Sequence, residues 1–128
     1  MTRRCRGEAG DAVTETVILV PVLLLLIMVV IQFGLWYHAE HVVQAAAQEG
    51  ARAARAEGST SDTGKQRAEQ FLAAAGGSVI DTPEVVSTRD GRQASVVVTG
   101  KAVAVIPGVH LDVRAQAVSP TEEFEADR

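Results

Sequence analysis

Residues 16–37 read TVILVPVLLLLIMVVIQFGLWY and contain no charged side chain. Eighteen of these 22 residues are apolar. An α-helix rises about 1.5 Å per residue, so the stretch would cover roughly 33 Å, against a bilayer hydrocarbon core about 30 Å thick. The sequence therefore predicts one membrane-spanning helix, which we place at residues 11–37.

Two other interpretations of the apolar stretch fit less well. The chain has 128 residues and is 47% apolar but only 4% aromatic. Phe71 and Phe124 are the only aromatic residues besides histidine after the stretch, so the remainder could hardly surround it as the core of a soluble domain. A secretory signal has a shorter apolar core that closes on small residues, whereas this one closes on Leu35, Trp36 and Tyr37. A permanent membrane anchor is favoured.

The charges on either side of the stretch predict its orientation. Arg3, Arg4 and Arg6 precede it, and the next basic residue is Arg52. Basic residues are retained on the cytoplasmic side. We therefore expect a single-pass protein of the cytoplasmic (inner) membrane with its N-terminus inside and its C-terminus outside. Trp36 and Tyr37 are predicted to lie at the outer membrane interface, where aromatic rings are enriched.

The helical pattern continues beyond the membrane as a stem over residues 38–57. Its polar side carries His41, Gln44, Gln48, Glu49, Arg52 and Arg55, and its other side carries Val42, Val43, Ala46, Ala47, Gly50, Ala51, Ala53 and Ala54. No helix-breaking residue separates the stem from the span. We expect one rod from about residue 13 to residue 57, with a small-residue face that lets another backbone approach closely.

A small α+β external domain is predicted over residues 58–118. Residues 58–64 are expected to form a polar linker, followed by a short helix that ends at Gly76-Gly77. Strands are expected around Val85-Val86, over residues 94–106 and over residues 109–117, joined by turns at Asp90-Gly91 and Pro107-Gly108. The predicted fold is a transmembrane helix that continues into an amphipathic helix packed on a three-stranded antiparallel sheet. Residues 119–128 are expected to be a disordered acidic tail.

Several functions have no support in the sequence. Residues 58–66 resemble a phosphate-binding loop, but the spacing of the glycines is wrong and no Ser or Thr follows Lys65. His38 and His41 lack a third metal ligand at a suitable spacing. Residues 38–128 hold nine basic and thirteen acidic side chains, which disfavours nucleic-acid binding. The sequence predicts neither an enzyme, nor a cofactor, nor a metal site.

An unusual combination of residues precedes the span. A basic N-terminal segment ending in Arg6-Gly7 is followed by Gly10 and Ala12-Val13, and Glu15 then lies directly before the hydrophobic segment. Further along come the Leu19-Val20-Pro21 step, Phe33-Gly34 and the run Gln48–Ala54. Over residues 6–56 the chain resembles the type IV pilin-like proteins, and among them the TadE-like pseudopilins of tight-adherence pili. It departs from the family pattern at Thr16, where Phe is usual, at Gln32, where Glu is usual, and in the acidic Asp11.

The resemblance implies a function and a set of roles. A prepilin peptidase would remove residues 1–10 as a leader by cutting between Gly10 and Asp11, leaving Glu15 as the fifth residue. Glu15 and Pro21 would both act in assembly. The Glu15 carboxylate would pair with the new terminal amine of a neighbouring subunit. The chain would then be a minor pseudopilin that contributes to pilus biogenesis or adhesion, with other pilins and the assembly machinery as partners and the pilus as its final location. The alternative is an uncleaved single-pass adaptor of the cell envelope.

Overall fold

A computed structural model describes residues 8–56 and 58–121, with side chains from residue 10 onward. The elements are α1 (Glu8–Arg55), α2 (Ser61–Ala75), β1 (Ile80–Arg89), β2 (Gln93–Ala102) and β3 (Leu111–Pro120). The three strands form one antiparallel sheet in the order β1-β2-β3. The predicted α+β class and the three-stranded meander are confirmed.

Helix α1 is continuous over 48 residues and is therefore about 72 Å long. Its C-terminal part covers the sheet, as the small-residue face predicts. The apolar residues buried on it are Ala39, Val42, Val43, Ala46, Ala47, Ala51 and Ala54. They meet the side chains of the inner sheet face, chiefly Ile80, Val85, Ala94, Val96, Val98, Ala102, Val113 and Ala115. The core thus lies between one half of α1 and the sheet.

Helix α2 completes the layer that covers the sheet. It begins three residues before the predicted linker ends, because Thr60 caps it: the Thr60 hydroxyl accepts from Thr63 N, and Thr60 N donates to the Thr63 hydroxyl. Ala68 and Leu72 face the core. The helix ends at Ala75, before the predicted Gly76-Gly77 stop. The part of the predicted linker from Ser61 to Gly64 is therefore helical.

The strand boundaries differ from the predicted ones at the end of β2 and at both ends of β3. The expectation that β2 runs to Ile106 is wrong: it ends at Ala102, and residues 103–110 form the connection to β3, which begins at Leu111. The helix supplies hydrogen-bond partners to this connection in place of a neighbouring strand. β3 also includes Ser119 and Pro120, which the sequence assigns to the acidic tail. The rest of that tail, from residue 122, and leader residues 1–7 lie outside the described residues.

Candidate functional site

The N-terminal part of α1 carries the residues predicted for processing and assembly. Gly10, Asp11, Glu15 and Pro21 all lie on this helix and are exposed. The two ion pairs among the described residues both involve Glu49, so no described cation pairs with the Glu15 carboxylate. The structure thus leaves Glu15 open to a partner from outside the described part of the chain.

The hydroxyl groups beside Glu15 are satisfied within the helix. Thr14 Oγ1 donates to the Gly10 carbonyl and Thr16 Oγ1 donates to the Ala12 carbonyl, each at 2.9 Å. Such back-bonding removes most of the cost of placing a hydroxyl in an apolar medium. The Glu15 carboxylate, by contrast, makes no hydrogen bond or ion pair with the residues that the structure describes.

Pro21 lies inside α1 and changes its backbone hydrogen bonding. Proline has no N–H group, so the carbonyl of Val17, four residues earlier, loses its usual intrahelical donor. The helix nevertheless continues through this position. An apolar groove lined by Ala12, Val13, Thr16, Val17, Val20 and Pro21 runs along the same part of the helix. This groove is a surface on which another apolar helix could pack.

The aromatic residues predicted for the membrane interface divide between two environments. Tyr37 is exposed, and its ring meets the His41 ring edge to face at 4.4 Å. Trp36 is half-buried, packs against the core, and lies 3.5 Å from the carbonyl of Asp112 through Nε1. Phe33 contacts Trp36 edge to face at 6.5 Å. Trp36 therefore links the apolar part of α1 to the sheet.

Gln32 is a structural residue whose role the sequence analysis missed. It is only 3% exposed, and its Oε1 accepts from the amides of Val105 (2.7 Å) and Ile106 (3.4 Å). Its Nε2 donates to the Val103 carbonyl at 3.2 Å. The available signal was its position as the one amide side chain in an uncharged apolar stretch, where a polar group needs a partner.

The stem and α2 approach each other through two glycines. A Cβ at Gly50 would lie 2.8 Å from the Gly64 carbonyl oxygen, and a Cβ at Gly64 would lie 2.9 Å from that of Gly50. No side chain fits at either position without moving a backbone. Beside this crossing, Arg67 of α2 donates to Glu49 of α1 at 3.0 and 3.1 Å. Gly64, which the sequence places in a linker, is thus part of the helix packing.

The exposed apolar surface beside Pro21 suits association with another apolar helix. Among the side chains of the described ranges, 10–56 and 58–121, no three His, Cys, Asp or Glu residues cluster as metal ligands. Helix α1 is long and apolar enough to cross a membrane. The fold and the site together define an α+β protein with one candidate membrane-spanning helix and a small head packed on its C-terminal half.

Residues 10–52 match the family model described as TadE-like protein. This segment lies wholly within α1 and includes Glu15, Pro21, Gln32 and Gly50. The match confirms the resemblance seen in the sequence: over this helix the chain is similar to TadE-like proteins, and that similarity suggests an association with tight-adherence pili. No curated protein and no solved structure matches the chain.

Proposed function

We propose that this protein is a minor pseudopilin of a tight-adherence pilus, inserted in the cytoplasmic membrane with its head outside. The TadE-like match over residues 10–52 carries the proposal. The exposure of α1 supports membrane insertion: Val17 is 66% exposed, Leu25 is 63% exposed and Val30 is 65% exposed. A soluble monomer rarely leaves such a large contiguous apolar surface in water.

Assembly in this proposal depends on Glu15 and on the first turns of α1. A charged side chain costs about 2.5–3.5 kcal/mol at the centre of a membrane helix on insertion scales, and a carboxylate at the edge of the hydrocarbon pays part of that cost unless it finds a partner. A neighbouring subunit's terminal amine would supply that partner, while the groove beside Pro21 receives an adjacent helix. Other pilins and the pilus assembly machinery are therefore the proposed partners.

The proposed processing step removes the leader between Gly10 and Asp11. This bond lies in α1, close to where the described residues begin. A prepilin peptidase would have to open this part of the helix before it could cut the bond.

The experiment is N-terminal mass spectrometry of the full chain co-expressed with a prepilin peptidase. We expect a chain that begins at Asp11. Gly10→Val should retain the leader without disturbing the fold, since a Cβ at Gly10 meets nothing within 4 Å. Gly7→Val is the matched control and should still be cleaved after Gly10. A native chain that keeps Arg3, Arg4 and Arg6 would contradict the processing step and favour the uncleaved envelope adaptor.

The assembly role of Glu15 is tested by Glu15→Gln, which removes the charge and keeps the size. The variant should remain in the membrane fraction but lose cross-linking to pilins of the same pilus. Glu40→Gln makes the same chemical change on the stem part of α1 and is the matched control that should still cross-link. If Glu15→Gln assembles as well as the unaltered chain, the pairing role is wrong.

A further inference from the structure

The connection between β2 and β3, residues 103–110, is named here the proximal loop. It reads VAVIPGVH, so apolar side chains dominate and no Asp, Glu, Lys or Arg occurs in it. Ala104, Val105 and Pro107 are exposed, with Val105 at 37%. An exposed loop is ordinarily polar because water surrounds it. The composition of this loop calls for an apolar environment.

The hydrogen bonds to Gln32 fix where the loop lies along α1. Gln32 is four residues before Trp36, which corresponds to about 6 Å along a helix axis. Met28 and Val29, one turn earlier still, are half-buried, whereas residues 10–27 are all exposed. The head thus reaches down α1 past the aromatic residues Trp36 and Tyr37.

The distance from Glu15 along α1 places Gln32, and the loop bound to it, within the thickness of a bilayer. Seventeen residues separate Glu15 from Gln32, which is about 26 Å of helix against a hydrocarbon core of about 30 Å. If Glu15 marks the inner edge of the hydrocarbon, Gln32 lies about 4 Å inside its outer edge. The proximal loop, which is bonded to Gln32, lies at the same depth.

Four of the seven backbone amides of the loop, those of Val103, Val105, Ile106 and Val109, have protein partners of the kind that such a depth requires. Backbone polar groups inside a membrane need protein partners because no water is available to them. Gln32 binds the amides of Val105 and Ile106 and the carbonyl of Val103. The amide of Val103 donates to the Val79 carbonyl, and that of Val109 donates to the Ile106 carbonyl. Pro107 has no amide hydrogen to satisfy.

We propose that the proximal loop inserts into the outer leaflet of the bilayer and that Gln32 is the positioning residue that holds it there. The occupant of the loop surface is lipid, because that surface continues the exposed apolar surface of α1. The head is then fixed on the membrane at two points, through α1 and through the loop. This inference rests on the proposed membrane insertion.

Spin labels on the full chain in phosphatidylcholine–phosphatidylglycerol vesicles test the inference. Cys5→Ser removes the single native thiol, and single cysteines then replace Val105, Leu24 or Val118. Val118 is 54% exposed and pairs with Ser95, near the opposite end of the sheet, so it is the matched control. The ratio of oxygen to nickel-chelate accessibility reports immersion in lipid. We expect a several-fold higher ratio at position 105 than at 118, close to that at position 24.

The outcomes separate the inference from the function on which it rests. A lipid-like signal at 24 with a water-like signal at 105 overturns the loop insertion and leaves membrane insertion intact. A water-like signal at 24 contradicts the proposed function, and the inference fails with it. A label at 105 that is shielded from both probes, in proportion to protein density, would mean that a second chain covers the loop and also overturns the inference.

A second set of variants keeps the test open if Val105→Cys does not fold. Ala104→Cys places the label on the neighbouring exposed residue, for which the same result is expected. Gln32→Leu in either labelled chain removes the partners of two loop amides, which must then move toward water. The oxygen-to-nickel ratio at the loop should fall while that at position 24 stays unchanged. An unchanged ratio at the loop would contradict the positioning role of Gln32.

Discussion

The two halves of α1 follow opposite rules of side-chain size and burial. Residues 17–31 are mainly Leu, Ile and Val, and residues 17–27 are exposed throughout. Residues 39–54 carry a face of Ala, Gly and Val on which Ala39, Ala46 and Ala54 are 0% exposed. Both halves are apolar and helical, so helix propensity does not distinguish them. The difference lies in what each half packs against.

Side-chain size indicates the partner of an apolar helix. A lipid-facing helix gains from large side chains, since acyl chains adapt to any shape. A sheet-facing helix needs small side chains, since the rigid surfaces must approach closely before dispersion contacts form. Gln32 and Trp36 lie between the two halves and bind the backbone of residues 103–112. They mark the boundary between the exposed half of α1 and the half that packs on the sheet.

The largest expected effect comes from a charge in the exposed half. Leu24→Arg should lower the inserted fraction, because an arginine at the centre of a membrane helix costs about 2.5–3.5 kcal/mol on insertion scales. Membrane fractionation after carbonate extraction measures it. Gln48→Arg changes an exposed position of the stem and should leave fractionation unchanged. If Leu24→Arg stays in the membrane fraction as fully as the unaltered chain, residue 24 does not belong to the half that lies in lipid.

A side chain added where α1 crosses α2 should destabilise the packing of the buried half of α1. Gly50→Leu drives a side chain into the Gly64 carbonyl and the Ala68 methyl group, which lie 2.8 and 3.0 Å from the new Cβ. Overpacking of this kind costs about 1–3 kcal/mol. Thermal unfolding of the full chain in detergent, followed by circular dichroism, should show a lower Tm. Gly34→Leu, where a Cβ meets nothing within 4 Å, is the control, and an equal loss there would refute the packing argument.

Removal of the amide at the junction should loosen the head without releasing it from the membrane. Gln32→Leu leaves two loop amides without their acceptor, and an unsatisfied buried amide costs about 1–3 kcal/mol. Hydrogen exchange should accelerate at Val105 and Ile106 while membrane fractionation is unchanged. Gln44→Leu, at an exposed position of the stem, should leave exchange at both amides unaltered. Protection that survives in Gln32→Leu would show that other groups hold the loop.

The smallest effect concerns the turn between β1 and β2. Asp90 Oδ1 accepts from the amides of Arg92 and Gln93 at 2.8 Å each, and these bonds lower the pKa of Asp90 below 3.8. A lowered folded-state pKa stabilises the fold above the unfolded value, and the benefit is lost as pH falls through the folded one. The free energy of unfolding should therefore fall less steeply below about pH 4 in Asp90→Asn than in the unaltered chain. The other carboxylates are the same in both chains, so their effect cancels in the comparison. An equal loss of stability in the two chains as the pH falls would refute this role of Asp90.

Periodicity and residue size were enough to predict much of the fold. The uncharged stretch predicted the long helix, the small residues of the stem predicted its cover over the sheet, and Asp90-Gly91 predicted the first hairpin. The family match over residues 10–52 confirms the resemblance that Glu15 and Pro21 suggested. The roles assigned to these two residues, and to Gly10 and Asp11, stay predictions.

The features that the sequence did not reveal depend on contacts between distant segments. Alternation alone extends β2 to Ile106, but the strand ends at Ala102 because Gln32, 71 residues before Val103, takes over the backbone hydrogen bonds. Gly64 looks like a linker residue until the proximity of Gly50 shows why a side chain is excluded there. Neither contact leaves a local pattern, since each joins segments far apart in the chain.

The central claim is that α1 lies in lipid over its first half and outside the membrane over its second. Thiol labelling of intact cells tests it most directly, with single cysteines at Leu24, Gln44 and Gln48 in a Cys5→Ser background. Positions 44 and 48 should react with a membrane-impermeant maleimide added outside, whereas position 24 should react only after the membrane is dissolved. Reaction of position 24 in intact membranes, or of positions 44 and 48 only after lysis, would contradict it.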